Sequence, residues 1–166
     1  RCGPRYHLSF YGMLGLAAMA SSNLTEAFRV IFRYLPMTWS YMYWSLRTEN
    51  SLAVISLEPQ RDLGRCYQYM VDRGLAAAYT IACDALGSSP PLVEVNVRQP
   101  EPCYGQLYRD TFKCPVNFGM PSDDFRIAEH YFQLPLQQAE SESARIFAMQ
   151  CERICAELER GGSFAE

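Results

Sequence analysis

Tyr108-Arg109-Asp110-Thr111-Phe112-Lys113-Cys114-Pro115-Val116-Asn117-Phe118-Gly119 carries most of the structural information in this chain. Pro102 stands before it; Asp123-Asp124-Phe125-Arg126-Ile127 and Leu134-Pro135-Leu136 follow. The order predicts a short helix, a tight turn and a pair of short strands. Pro115 has no amide hydrogen and biases Cys114 toward extended geometry, so a strand can start there and a helix cannot continue. Val116 and Phe118 point to one face of that strand. Residues 119–124 are turn-rich and supply no catalytic chemistry, so Asp123 and Asp124 are expected as solvated turn residues.

Working toward the N-terminus, Leu92, Val93, Val95 and Val97 predict a strand that Pro100 and Pro102 stop. Residues 61–86 predict the longest helix, with Val71, Leu75, Ala78, Tyr79, Ala82 and Leu86 as its buried stripe. Gly74 weakens its middle by about 1 kcal/mol relative to Ala, and Gly87-Ser88-Ser89-Pro90-Pro91 ends it. Residues 38–47 and 52–58 predict a hairpin across a turn at Thr48-Glu49-Asn50-Ser51. Ala53, Ile55 and Leu57 face one way, Leu52 and Val54 the other. Both faces are apolar, so both are expected to be at least partly covered.

Residues 12–21 predict a short helix of small and apolar residues, broken at Ser22 and Asn23. Asn23 and Glu26 form a capping-box pattern for a second helix from Leu24 to Leu35, with Leu24, Ala27, Phe28, Ile31 and Leu35 buried and Pro36 ending it. Toward the C-terminus, Gln137 to Arg160 predict an amphipathic helix. The expected fold is α+β: one antiparallel or mixed sheet of about five strands packed with helices, with residues 1–160 as one domain and 161–166 as the start of a linker.

At 166 residues, 49% apolar and 20% charged, the composition is that of a globular domain able to bury a full core. No apolar run approaches the roughly 20 residues needed to span a bilayer, and no signal-peptide pattern is visible. The chain opens at Arg1 rather than Met, and a preceding segment is expected. The net charge of −3 makes a poor phosphate-binding surface, so these residues alone are not expected to grip DNA.

The seven cysteines (Cys2, Cys66, Cys83, Cys103, Cys114, Cys151, Cys155) contain no Cys-x-x-Cys pair, and neither His7 nor His130 sits at a ligand spacing from them. They are read as reduced, mostly buried thiols in a cytoplasmic protein, without a metal or a disulfide. Phosphate-loop, HExxH, GxSxG and calcium-loop patterns are all absent. No catalytic residue, cofactor or metal is assigned, and the chain is not expected to be an enzyme. His130 is expected in a turn with a structural or solvent-facing role.

The aromatic hairpin is the sharpest candidate for binding. Trp39, Tyr41 and Tyr43 alternate onto one face of the strand, Trp44 and Met42 onto the other. Any one ring is more readily core than cavity wall. The density of rings nonetheless predicts a ligand cavity with at least two of Trp39, Tyr41, Tyr43 and Trp44 in its wall, and Tyr11 and Phe118 as further candidates. Such a wall suits a hydrophobic, aromatic or amine-like effector, because ring faces attract cations and tyrosine hydroxyls add polar handles.

The element order over residues 102–136 resembles the end of the N-terminal effector-binding domain in one branch of AraC-type transcriptional regulators. Gly12-Met13-Leu14-Gly15-Leu16-Ala17-Ala18-Met19-Ala20-Ser21-Ser22-Asn23-Leu24-Thr25-Glu26-Ala27 is similar to that family's opening, where a small-residue helix leads through a Ser-rich break into a Leu-x-Glu-Ala helix. The likeness spans residues 11–155 in loose apolar, Gly and Pro positions. It implies a cytoplasmic domain that senses a small-molecule effector, forms a homodimer, and contacts DNA only through an attached helix-turn-helix domain. Two other readings stay open: a dimerisation or partner-binding module without a small ligand, and a cysteine-using enzyme with a low-pKa thiol near His130.

Overall fold

The computed structural model describes residues 7–35 and 41–162. A 3₁₀ turn at Leu8–Tyr11 leads into α1 (Met13–Met19) and α2 (Leu24–Tyr34). The hairpin β1 (Met42–Glu49) and β2 (Leu52–Pro59) follows, then α3 (Tyr67–Leu86), β3 (Leu92–Val97), α4 (Gly105–Phe112), β4 (Val116–Phe118) and β5 (Asp123–Ala128). The four-residue α5 (His130–Gln133) and the 22-residue α6 (Ser141–Gly162) complete the fold. The α+β class and five-stranded sheet expected from sequence are present.

The strand order is β1-β2-β5-β3-β4. All pairings are antiparallel except β3 with β4, so the sheet is mixed. One expectation is corrected here: β4 and β5, adjacent in sequence, are not partners, because β3 lies between them.

Period-two alternation separates two transverse rows. Leu46, Ile55, Phe125, Val95 and Val116 run across all five strands on the face that α2 and α3 cover. One position along, Ser45, Ser56, Asp124, Asn96 and Asn117 run across the opposite face. There Asn96 Nδ2 donates to Asp124 Oδ1 at 2.9 Å, Asn117 Nδ2 to Asn96 Oδ1 at 3.0 Å, and Arg126 pairs with Glu94 at 3.2 Å. On β2 the expectation that both faces are at least partly covered holds, since Val54 and Ser56 are buried as well as Ala53, Ile55 and Leu57. Val54 is buried, but among polar neighbours, and β1 is open on this side, with Tyr43 66% exposed.

Asp123 and Asp124 are not solvated turn residues. Both are fully buried within β5. Asp123 accepts from the Arg98 backbone N–H at 2.8 Å and from the Tyr67 hydroxyl; Asp124 accepts from Asn96 and Ser122. Burying a carboxylate is costly unless donors surround it, and here they come from α3, from β3 and from the segments after β3 and before β5.

Local chemistry moves several boundaries. Asn23 Oδ1 accepts from the Glu26 N–H at 3.0 Å, the expected cap. The hairpin turn shrinks to Asn50–Ser51, both at positive φ, as a two-residue turn of that twist requires. The helix expected from residue 61 begins only at Tyr67. Asp62 Oδ1 accepts from the Gly64 N–H at 2.8 Å, and Gly64 sits at φ +48, so the chain turns before it coils. α6 starts at Ser141 rather than Gln137, because Glu140 caps it by accepting from Glu142 N at 3.1 Å and Ser143 N at 2.6 Å. The Ser143 side chain together with these backbone bonds holds the Glu140 carboxyl below its ordinary pKa.

α6 packs on α1 and α2, where Leu14, Tyr34 and Cys151 form a small second core. Among the described residues, no helix is long and apolar enough to cross a membrane.

Candidate functional site

A groove of about 470 Å³ opens between the edge strand β1 and the helices α2 and α5. Its wall follows from three local patterns. On β1, Trp44, Leu46 and Thr48 alternate onto the helix-facing side. On α2, Thr25, Arg29 and Phe32 recur at helical spacing, just beside the buried stripe of Leu24, Ala27, Phe28 and Ile31. From α5 and the residue before it come Phe132, Gln133 and Glu129.

The rings are joined to the core. Trp44 stacks on Phe32 (centroids 5.9 Å, 25° between planes), Phe32 lies 5.4 Å from Phe28, and Phe28 stacks on Phe132 at 5.7 Å. Gly74 makes room for this arrangement. A Cβ there would lie 3.2 Å from the Trp44 ring and 3.1 Å from Leu57 Cδ2. The glycine that weakens α3 in isolation is therefore what lets the indole lie against that helix.

The rim is polar. Thr25 Oγ1 donates to the Phe132 carbonyl at 3.2 Å, Arg29 pairs with Glu26, and Thr48 Oγ1 donates to Glu129 Oε1 at 3.4 Å. Glu129 is held by its backbone: its N–H donates to the Ser51 carbonyl at 2.9 Å, and its carbonyl accepts from Phe132 N at 2.9 Å. The hairpin turn thus fixes where this carboxylate stands.

The ring residues named from sequence fall in different places. Trp44 lines the groove. Tyr41 is 43% exposed beneath the Arg61 guanidinium (4.6 Å), and Tyr43 points from the opposite sheet face; neither enters the groove. Tyr11 meets Trp44 and Phe32 around an apolar gap of about 10 Å³, no larger than a water site. Phe118 lies at the other end of the sheet, edge-on to Tyr108 at 5.3 Å. Trp39 lies outside the described residues. The sequence did not single out Thr25, Arg29, Phe32, Thr48, Glu129 or Phe132 as lining residues. The helical recurrence of Thr25, Arg29 and Phe32 was a legible signal; the approach of Glu129 was not.

Of the six described cysteines only Cys151 is buried, while Cys66 and Cys103 are exposed, which corrects the expectation of mostly buried thiols. Burial pushes the thiols of Cys83 and Cys151 up, and that of Cys114 to about 11, the reverse of an activated cysteine. His130, first residue of α5 rather than a turn residue, is exposed and lies against Tyr131. Among the described residues no three His, Cys, Asp or Glu side chains are grouped as metal ligands would be.

Residues 1–136 match the family described as the arabinose-binding domain of AraC transcription regulators, N-terminal. The chain belongs to this family. An ornithine utilization regulator from Pseudomonas aeruginosa is 24% identical over 157 residues, 95% of this chain and 46% of the regulator. The crystal structure of the transcriptional regulator CdpR, also from Pseudomonas aeruginosa, shares the fold with a TM-score of 0.71 at 20% identity, over 95% of this chain and 56% of that one. The chain therefore spans about half the length of these relatives, and the domain is the regulatory N-terminal part of an AraC-type protein.

Proposed function

We propose that this domain senses a small-molecule effector in the β1–α2–α5 groove and passes the signal out through α6. The carrying observation is that one helix, α2, serves both places. Thr25, Arg29 and Phe32 line the groove, while Arg33 pairs with Glu152 of α6 at 2.8 Å and Tyr34 packs against Cys151. An effector that binds one placement of α2 better than another shifts the population of both, and with it the setting of α6. The groove volume falls within the range of about 300–1,000 Å³ used for small ligands. The curated relative's name, a regulator of ornithine utilization, favours a metabolite as the signal. DNA contact in such a protein belongs to a separate domain, since this chain carries a net charge of −3.

A thermal-shift screen of metabolites tests this, because a ligand that binds only the folded state raises its stability. The expected result is at least one metabolite that raises Tm in the wild type and not in Leu46→Trp, which fills the groove. Hits that persist in Leu46→Trp would place binding elsewhere and sink the proposal.

A second reading has its own observation. Ile146 and Met149, one turn apart on α6, are 44% and 56% exposed, an apolar patch suited to pairing with a second copy. Light scattering reporting a monomer at micromolar concentration would remove the dimer. It would leave the groove untouched.

A further inference from the structure

Resting on the groove as the sensing site, we infer that its ligand is a small organic cation, an amine or guanidinium on a short apolar stem, with Glu129 as the residue that selects the charge. The groove is graded along β1. Trp44 and Leu46 form an apolar stretch with Phe32 and Phe132, and Thr48 ends it beside Glu129.

The charges along it are not equally occupied. Arg29 is paired with Glu26. Arg47 also contributes to the groove lining, but its guanidinium is engaged on the opposite sheet face by Glu49 at 2.6 Å and by Ser56. Glu129 has only the long 3.4 Å bond from Thr48 and no ion-pair partner among the described residues. A carboxylate has about four acceptor sites, so most of its capacity faces the groove mouth unused. A carboxylate with spare acceptor capacity at the end of a ring-lined apolar stretch attracts a cation through its charge, while the rings of Trp44 and Phe32 take up its apolar stem. An anion would meet that carboxylate and an arginine already neutralised by its own helix.

Structurally the Glu129 side chain is dispensable, because its backbone makes the bonds that seat it. Glu129→Gln therefore keeps shape and fold while removing the charge. The probes are 2-phenylethylamine, its neutral counterpart 2-phenylethanol and the anion phenylacetate, titrated into the full chain by calorimetry with thermal shift alongside. The expected result is that the amine binds at least about tenfold more tightly than the alcohol, the scale of one charge-assisted bond. Glu129→Gln should abolish that preference and leave the alcohol unchanged; Thr48→Val should reduce it less.

Equal binding of amine and alcohol, both lost in Leu46→Trp, would overturn the cation assignment and leave the sensing groove standing. Preference for phenylacetate, lost in Arg29→Gln, would overturn the sign of the charge. Binding of none of the three, or binding indifferent to Leu46→Trp, would count against the cation and the groove together.

Discussion

Gly15 shows how little room a single residue can leave. A Cβ built there lies 1.8 Å from the Leu8 carbonyl oxygen, a backbone atom of the turn that precedes α1. A flexible side chain could move aside; a carbonyl cannot without shifting the turn. Gly15→Ala should therefore destabilise the protein by about 3 kcal/mol, the upper end for overpacking, despite the better helix propensity of alanine. Urea titration showing a loss under about 1 kcal/mol would mean that the turn yields. At the other end of the molecule, burial and the bond to Asp123 push the Tyr67 phenol up to about 12. Its folded pKa lies above the ordinary 10, so its stabilisation is fully present below pH 10 and disappears as the pH rises through 12. Tyr67→Phe should lose stability relative to the wild type at pH 8, and the gap should close as alkaline unfolding is followed from pH 10 to 12. A gap that stays constant would show that the hydroxyl does not carry the effect.

At the scale of elements, caps rather than propensity set several of the boundaries. Asn23 starts α2, Glu140 starts α6, and the left-handed Gly87 ends α3. Asn23→Ala removes one bond to an N–H that has no partner within the helix. It should cost about 1 kcal/mol, or a fall of roughly 2–4 °C in Tm for a chain of this size. Scanning calorimetry measures it directly, and an unchanged Tm would imply that packing alone holds the first turn. The exposed Arg33–Glu152 pair is different. Both partners are more than half exposed, so its share of stability is small. The contact between α2 and α6 rests instead on Leu14, Tyr34 and Cys151.

For the whole molecule, the strand order sets the distribution of stability. β5 is central, flanked by β2 and β3, while β1 and β4 are edges. Phe125 and Ile127 of β5 are fully buried, whereas β1 borders an open groove. Native-state hydrogen exchange should show the slowest amides in β5 and β2, and β1 exchanging through a local opening at lower free energy. Binding in the groove should slow β1 and α2 together, since the ligand bridges them. Uniform rates across the sheet would contradict both statements. The same topology explains why a groove exists: an edge strand has one side without a neighbouring strand, and α2 with α5 closes only part of it.

Local signals alone determined much of this protein. The capping pair at Asn23 and Glu26, the buried stripes of α2 and α3, the strand period of β2, and the break at Pro115 are written within a few residues each, and each is obeyed. The small-residue opening and the Tyr108–Gly119 stretch were enough to suggest the family. Only the tertiary structure decided the strand order, because a hydrophobic period says that a strand has a face but not which strand it lies beside. It also decided the fate of Asp123 and Asp124, whose burial depends on donors from Tyr67, Arg98 and Asn96, 25 or more positions away. The groove belongs to the same class. Trp44 was legible as one ring of an aromatic strand, but Tyr41 and Tyr43 looked like its equals until the pleat turned Tyr43 to the polar face and left Tyr41 exposed under Arg61. Glu129 carries no sequence signal at all. It stands beside Thr48 because the Asn50–Ser51 turn holds its backbone there, and proximity across 81 positions is a property of the fold.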